Sequence, residues 1–322
     1  MKIAVIGTGY WGKNHVRALN DLLKEGKIEE MCVCDIDKEK VKSIASAYNI
    51  SFYTSIKDLP ELDGVIIATP SDTHYKIAKE FLKKGKDVLV EKPMTLNSKE
   101  ANELIKIAEK NENILMVGHI FRYHPAVNEI RNRIKNFGRI FYIMSNRFSF
   151  RYPRHDMGVL FALGIHEVDI FCYLLSKEHP NAIFATIESY IGKGEETAHI
   201  TTYFDGDIKG YAFESWLTPV YGKKRELIVM GSKLAAYVDY LKINEIKFFD
   251  VSIYDNKVEA SENVVKIEKK EPLKEEICDF IKCMKERKKP IADMYSGKRA
   301  VEMIEKAIES AREGRKIKWS EF

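Results

Sequence analysis

The first twelve residues constrain the fold more than any other part of the chain. Lys2-Ile3-Ala4-Val5-Ile6 is a short apolar run of strand length, and Gly7-Thr8-Gly9-Tyr10-Trp11-Gly12 follows it directly, opening a stretch with helical spacing. The same alternation then repeats. Strand-like runs at 2–6, 30–34, 64–68, 88–90 and 114–117 are separated by helical stretches at 10–24, 38–48, 73–83 and 98–110. Short continuous apolar strands between helices predict a parallel sheet covered on both faces. Asn97 and Glu100 have capping-box spacing, and Ser71-Asp72 stands ahead of the third helix. Lys83-Lys84-Gly85 offers positive charge and a left-handed glycine at that helix's end.

Beyond about residue 137 the texture changes. An aromatic-rich strand is expected at 139–150, then strands at 183–191, 199–204, 209–216, 227–230 and 234–238, with turns at Gly192-Lys193-Gly194 and Asp205-Gly206-Asp207. Helical stretches fall at 160–175, 273–285 and 296–313. The expected fold is an α/β Rossmann domain over residues 1–120, then a second α+β domain over 121–322 built on an open, mostly antiparallel sheet. The C-terminal helix is expected to pack back toward the first domain.

Composition narrows the class of partner. Lys and Arg number 52 against 48 Asp and Glu, a net charge of +4, too mild to imply nucleic acid or a membrane surface. Apolar runs such as Val65-Ile66-Ile67-Ala68 fall far short of the ~20 residues a membrane helix needs. The N-terminus enters a strand at once, without a leader pattern, so cytoplasm is the expectation. Cys32, Cys34, Cys172, Cys278 and Cys283 show no metal-ligand spacing, and no metal is expected.

The glycine turn carries the clearest chemistry. A G-x-G-x-x-G after a strand and opening a helix is the context in which that pattern binds a dinucleotide. The first glycine permits the turn, the second lets backbone approach the pyrophosphate, and the third allows close helix packing. The helix start offers free N–H groups and the positive end of a dipole. Gly7, Thr8, Gly9, Tyr10, Trp11 and Gly12 are therefore candidate cofactor contacts. Asp35 ends the second strand at the place where an acidic residue accepts both ribose hydroxyls. Ile36 and Asp37 follow, with no Arg or Ser for a 2′-phosphate, so NAD is expected over NADP.

Glu91-Lys92-Pro93 follows the strand at 88–90, at the sheet edge where ligands of open α/β folds bind. By itself Lys92 reads either as a solvated strand-end charge or as a base whose pKa of ~10.4 burial must lower. The wider pattern decides. Ile67-Ala68-Thr69-Pro70 ending in His74, Glu91-Lys92-Pro93, Gly118-His119-Ile120-Phe121-Arg122-Tyr123-His124-Pro125 and Gly164-Ile165-His166-Glu167-Val168-Asp169 occur in this order after the glycine turn. Together they resemble the glucose–fructose oxidoreductase and inositol dehydrogenase (Gfo/Idh/MocA) family over nearly the whole chain.

The resemblance implies an NAD-dependent oxidoreductase whose second domain binds substrate and forms a homodimer or homotetramer. Lys92 and His166 match the residues that flank the reacting carbon, the bond before Pro93 is cis, and Thr69, Pro70, His74 and Glu91 line the cofactor pocket. His119 and His124 are further candidates for ligand contact. One position departs from the family: an Asp usually stands four residues before the histidine, and this chain has Ala162. That departure leaves a non-catalytic NAD-binding regulator as a rival from another class.

For the substrate, Arg147-Phe148-Ser149-Phe150-Arg151-Tyr152-Pro153-Arg154-His155-Asp156 combines guanidinium groups with aromatics, and Arg122 and Tyr123 stand in the Gly-His-Ile segment. Such a set suits an anionic, nucleotide-linked sugar, or else reads as ion pairs with nearby carboxylates. Arg122, Tyr123, Arg151, Arg154, Lys92 and His166 are the candidate substrate contacts. The run from Pro153 to His166 resembles the subgroup oxidising UDP-N-acetylglucosamine or its uronic acid at the 3-position. The match is partial, because Phe121-Arg122-Tyr123-His124-Pro125 replaces that subgroup's usual Glu-Arg-Phe-Asn-Pro. The alternative is a dehydrogenase of inositol or a simple sugar.

Overall fold

The computed structural model describes residues 1–321 apart from His155, Asp156, Lys193, Tyr221, Ile243 and Asp255. The chain forms two compact units. The first comprises Met1–Tyr123 with Glu271–Val301, and the second His124–Lys270 with Glu302–Phe322.

The first unit alternates as its apolar pattern requires. In order come β1 (Lys2–Ile6), α1 (Tyr10–Lys24), β2 (Glu30–Cys34), α2 (Lys38–Tyr48), β3 (Ser51–Tyr53), β4 (Gly64–Ile67), α3 (Ser71–Lys83), β5 (Asp87–Glu91), α4 (Ser98–Lys110) and β6 (Leu115–Gly118). The strands pair in parallel in the order β3-β2-β1-β4-β5-β6. Successive side chains of a strand point to opposite faces. Ile3 and Val5 accordingly join Val16, Leu19 and Phe280 in one apolar layer, while Ala4 and Ile6 join Phe81, Leu82 and Leu104 in the other. Caps set the helix ends. Asn97 Oδ1 accepts from the Glu100 N–H at 2.9 Å. Gly85 takes a left-handed φ of 73° after α3. Pro70 is the N-cap of α3, so Ser71 and Asp72 lie in its first turn rather than ahead of it.

The second unit opens with α5 (Pro125–Arg133), which the sequence pattern did not disclose, and continues with β7 (Ile140–Ser149). A π-type turn at Leu160–Gly164 leads into α6 (Ile165–Leu175). Strands β8 (Ala182–Glu188), β9 (Thr197–Tyr203), β10 (Lys209–Ser215), β11 (Lys223–Gly231), β12 (Leu234–Asp239), β13 (Glu245–Tyr254) and β14 (Lys257–Lys266) follow. The chain then passes through α7 (Pro272–Glu286) in the first unit, α8 (Met294–Glu313) and β15 (Ile317–Lys318). The sheet order is β14-β13-β12-β11-β7-β10-β9-β8-β15. Every pairing is antiparallel except β10 with β7.

No helix among the described residues is long and apolar enough to cross a membrane. The five cysteines are free thiols, four of them buried.

Candidate active site

The glycine turn has the shape its chemistry needs. Gly7 sits at φ 91°, and a Cβ there would stand 2.6 Å from the Ala68 carbonyl oxygen, so only glycine joins β1 to α1 beside β4. A Cβ on Gly12 would stand 2.0 Å from the Gly7 carbonyl oxygen, so the third glycine lets the helix close onto the turn itself. A Cβ on Gly9 would meet nothing within 4 Å. Gly9 is also the N-cap of α1, which has no side-chain cap and no acidic residue in its first turn. Open space above an uncapped helix start is the cradle a pyrophosphate fills. Tyr10 and Trp11 are exposed at its rim, their rings edge to face at 5.8 Å.

Asp35 reaches back to the same turn. Its Oδ2 accepts from the Thr8 N–H at 2.6 Å and from Thr8 Oγ1 at 2.7 Å, and its Oδ1 accepts from the Asp37 N–H at 3.0 Å. Burial alone would raise this carboxyl, but the Thr8 hydroxyl and the Asp37 and Thr8 N–H groups outweigh it and hold the pKa below its usual value. An ionised carboxylate here can accept ribose hydroxyls and would repel a 2′-phosphate. Next to it Ile36 is 93% exposed, an apolar side chain able to cover an adenine face. The sequence signal for Ile36 was its place after Asp35, read only for what it lacked.

Two turns at the ends of β4 and β5 are joined by His74. This buried ring bonds the Pro93 carbonyl through Nδ1 at 2.8 Å and the Thr69 carbonyl through Nε2 at 2.9 Å. Both partners are acceptors, so a neutral ring makes one bond at a time and a charged ring makes both. His74 therefore ties the two turns to each other. Thr69 Oγ1 pairs with Thr73 Oγ1 at 2.7 Å, and Pro70 is exposed at the start of α3. The Lys92–Pro93 bond is cis. Glu91 is buried and accepts from His15 Nε2 at 2.8 Å, a partner the sequence reading missed because His15 lies 76 positions away.

Other expected contacts are spent on the fold. Arg122 is buried in the first unit, and its Nη1 donates to the Ile291 carbonyl at 2.6 Å. The Tyr123 hydroxyl, also buried, donates to Asp279 Oδ2 at 2.7 Å. His119 is buried in the same unit. In the second unit His124 caps α5 by accepting from the Ala126 N–H at 3.2 Å and lies edge-on to Tyr240 at 5.2 Å. Burial, with Arg147 nearby, lowers its pKa to about 4, so it is neutral near pH 7. Arg147 is fully buried, ion-paired with Glu167 and 5.2 Å over the Tyr240 ring. Of the three arginines in the basic–aromatic run, Arg147 is thus a core residue. Its neighbours differ: Arg151, Tyr152 and Arg154 are exposed, with the Arg151 guanidinium 5.5 Å over Trp216. His155 and Asp156, and Lys193 of the expected glycine turn, lie outside the described residues.

His166 is the second residue of α6, 8% exposed. Ala162 is buried within the π-type turn just before it. The carboxylate nearest in sequence, Glu167, is committed to Arg147.

A parallel sheet, a glycine turn shaped for pyrophosphate and an acidic residue set for ribose define a Rossmann oxidoreductase that uses NAD. The chain belongs to the Gfo/Idh/MocA oxidoreductase family. That family's NAD-binding Rossmann model matches residues 1–119, and the model of its C-terminal alpha/beta domain matches residues 131–319. Among curated proteins, the UDP-N-acetylglucosamine 3-dehydrogenase of Acidithiobacillus ferrooxidans is 26% identical over 306 residues, 94% of each chain. The scyllo-inositol 2-dehydrogenase (NAD(+)) of Bacillus subtilis is 29% identical over 189 residues, 55% of each. The solved structure of the Acidithiobacillus enzyme covers 97% of this chain and 98% of its own, with a TM-score of 0.86 at 24% identity. A levoglucosan dehydrogenase complex with NADH and levoglucosan covers 99% of each chain, with a TM-score of 0.87 at 17% identity. At these identities the structural likenesses speak for the fold.

Proposed function

We propose that this enzyme oxidises a ring hydroxyl of a nucleotide-linked sugar, with UDP-N-acetylglucosamine, oxidised to its 3-keto form, as the first candidate. The observation that carries this reading is the end-to-end similarity to the Acidithiobacillus enzyme, which spans 94% of both chains, whereas the inositol 2-dehydrogenase of Bacillus subtilis aligns over 55%. The exposed Arg151, Tyr152 and Arg154 support it, because guanidinium groups pair with phosphate oxygens and an aromatic ring stacks on a base or sugar. Lys92 and His166 are the further candidate contacts.

NAD supplies the hydride acceptor. The chain's own part is to hold the sugar in near-attack contact and to take the hydroxyl proton. Lys92 takes it on its Nζ, and His166 assists. Neither role needs a carboxylate at position 162. Lys92→Ala is expected to abolish turnover, by 10²-fold or more, with NAD affinity nearly unchanged. Turnover near the native rate in that variant would remove Lys92 from the mechanism. The second domain is also proposed to form a homo-oligomer, and the enzyme to act in the cytoplasm.

The test is a product trap. Purified enzyme is incubated with NAD and a panel of UDP-sugars, inositol and glucose, with hydroxylamine to capture ketones. A captured keto-UDP-sugar is the expected result. Signal from neutral polyols alone would move the enzyme to the inositol branch. Silence across the panel with NAD bound would favour a non-catalytic regulator and direct attention to Ala162.

A further inference from the structure

Three buried polar groups of the first unit have a chemistry that packing does not explain, and two of them are joined at the turn that carries Lys92. Glu91 is the last residue of β5 and is 8% exposed. One oxygen accepts from His15 Nε2 at 2.8 Å, and the other accepts from the backbone N–H of Lys92 at 3.2 Å. The carboxylate is thereby tied to α1 on one side and to Lys92 on the other. The third group is Glu276 of α7, which is fully buried. Among the described residues neither Glu276 oxygen has a hydrogen-bond partner, nor has His15 Nδ1.

A buried carboxyl without partners disfavours folding, whereas a leucine at position 276 would fit the apolar face of α7. A costly group retained in a core is a mark of function rather than of packing. Burial, the Glu91 charge and Asp279 all raise the Glu276 pKa well above its usual value and favour its protonated form. Burial also works against Glu91, but the His15 hydrogen bond and the charges of His15, Lys92 and His74 outweigh it and keep Glu91 ionised. The Glu91 charge disfavours a second charge on Glu276, so the negative charge stays on Glu91, the member joined to Lys92. Among the described residues the charged groups that act on Glu91 are His15 from α1, Lys92 and His74 from α3, and Glu91 in turn acts on Glu276 from α7.

We propose that His15 is a positioning residue, holding the Glu91 carboxylate, itself tied to the Lys92 backbone, as a fixed counter-charge to the ammonium that forms on Lys92. This rests on Lys92 being the base. The substrate O–H proton passes to Lys92 Nζ as the adjacent C–H hydride passes to NAD, so the amine becomes ammonium while Glu91 stays ionised. A counter-charge already in place favours that product without reorganisation.

The test reads Lys92 directly rather than through turnover. In the full-length enzyme before NAD is added, the rate of reductive methylation at Lys92 is followed against pH by peptide mass spectrometry. Glu91→Gln is expected to lower the Lys92 midpoint by about one pH unit, a tenfold change in the ammonium-to-amine ratio. His15→Gln lowers it by a smaller amount. In turnover the same variants lower kcat with KM nearly unchanged. A native midpoint in both Glu91→Gln and His15→Gln would overturn the proposal, and His15→Gln carries the readout if Glu91→Gln fails to fold. An active Lys92→Ala enzyme would instead sink the reading of Lys92 as base and leave the midpoints untouched, so the two failures are distinct.

Discussion

At the scale of single residues, what separates site from scaffold is where each charged group finds its partner. Arg147, Arg122 and Tyr123 look alike in sequence to Arg151 and Arg154, yet the first three are sealed in the core by Glu167, the Ile291 carbonyl and Asp279. Sequence spacing marks a basic run but not which members point inward. Glu276 shows the reverse case, a charged residue type where an apolar one is expected. Its raised pKa makes a stability prediction with a definite sign. Below the unfolded-state pKa of ~4.3 both states hold the proton, and ionisation adds no cost to folding. As pH rises, the unfolded state ionises first and the native state loses stability. Glu276→Leu should therefore raise Tm by several degrees at pH 8, with the gain shrinking toward pH 4. Thermal melts across that range check it, and an equal Tm difference at both ends would contradict the raised pKa.

At the scale of elements, the turn between β1 and α1 was legible because its chemistry is local. Every group that shapes it lies within a few residues or on the adjoining strand. Its glycines make separable predictions. Gly12→Ala places a methyl 2.0 Å from a carbonyl oxygen and should both lower Tm and abolish NAD binding. Gly9→Ala places one in open space, so Tm should stay within about a degree while NAD affinity falls at least tenfold. Fluorescence titration with NAD beside a thermal melt separates the two. The hairpin of β13 and β14 was not legible, and the reason is physical. All but one of the residues of β14 are exposed, so no alternation of apolar and polar side chains marks it. Helix α5 was hidden in the same way by its length of nine residues and its start inside a motif read for histidines.

At the scale of the whole molecule, the first unit is not one continuous stretch. Residues 271–301 return to complete it, and α7 lays Ile277, Phe280 and Ile281 against Ile3, Val16 and Leu19. The helical period of residues 273–285 was readable, but the strands it would cover were not, since periodicity gives an apolar face and not its mate. The return is anchored by charge at both ends. Arg17 pairs with Glu271, and Arg287 Nη1 donates to Asp87 Oδ2 at 2.6 Å. Asp87 is buried and also accepts from the Ile114 N–H at 2.7 Å, so losing Arg287 strands its charge. Arg287→Ala is expected to destabilise the first unit by about 1–3 kcal/mol. NAD should partly restore the melting temperature, because it binds only the folded unit. A native melting profile would place the anchor elsewhere.

The central claim is that Lys92 and NAD together take a proton and a hydride from a sugar ring. It is tested most directly with UDP-N-acetylglucosamine deuterated at C3, incubated with NAD and the enzyme, and the cofactor recovered for mass spectrometry. The predicted result is NADH carrying one deuterium, absent with the Lys92→Ala variant. NADH formed without deuterium would place the oxidised carbon elsewhere on the sugar. No NADH from any sugar, with NAD bound, would contradict the account.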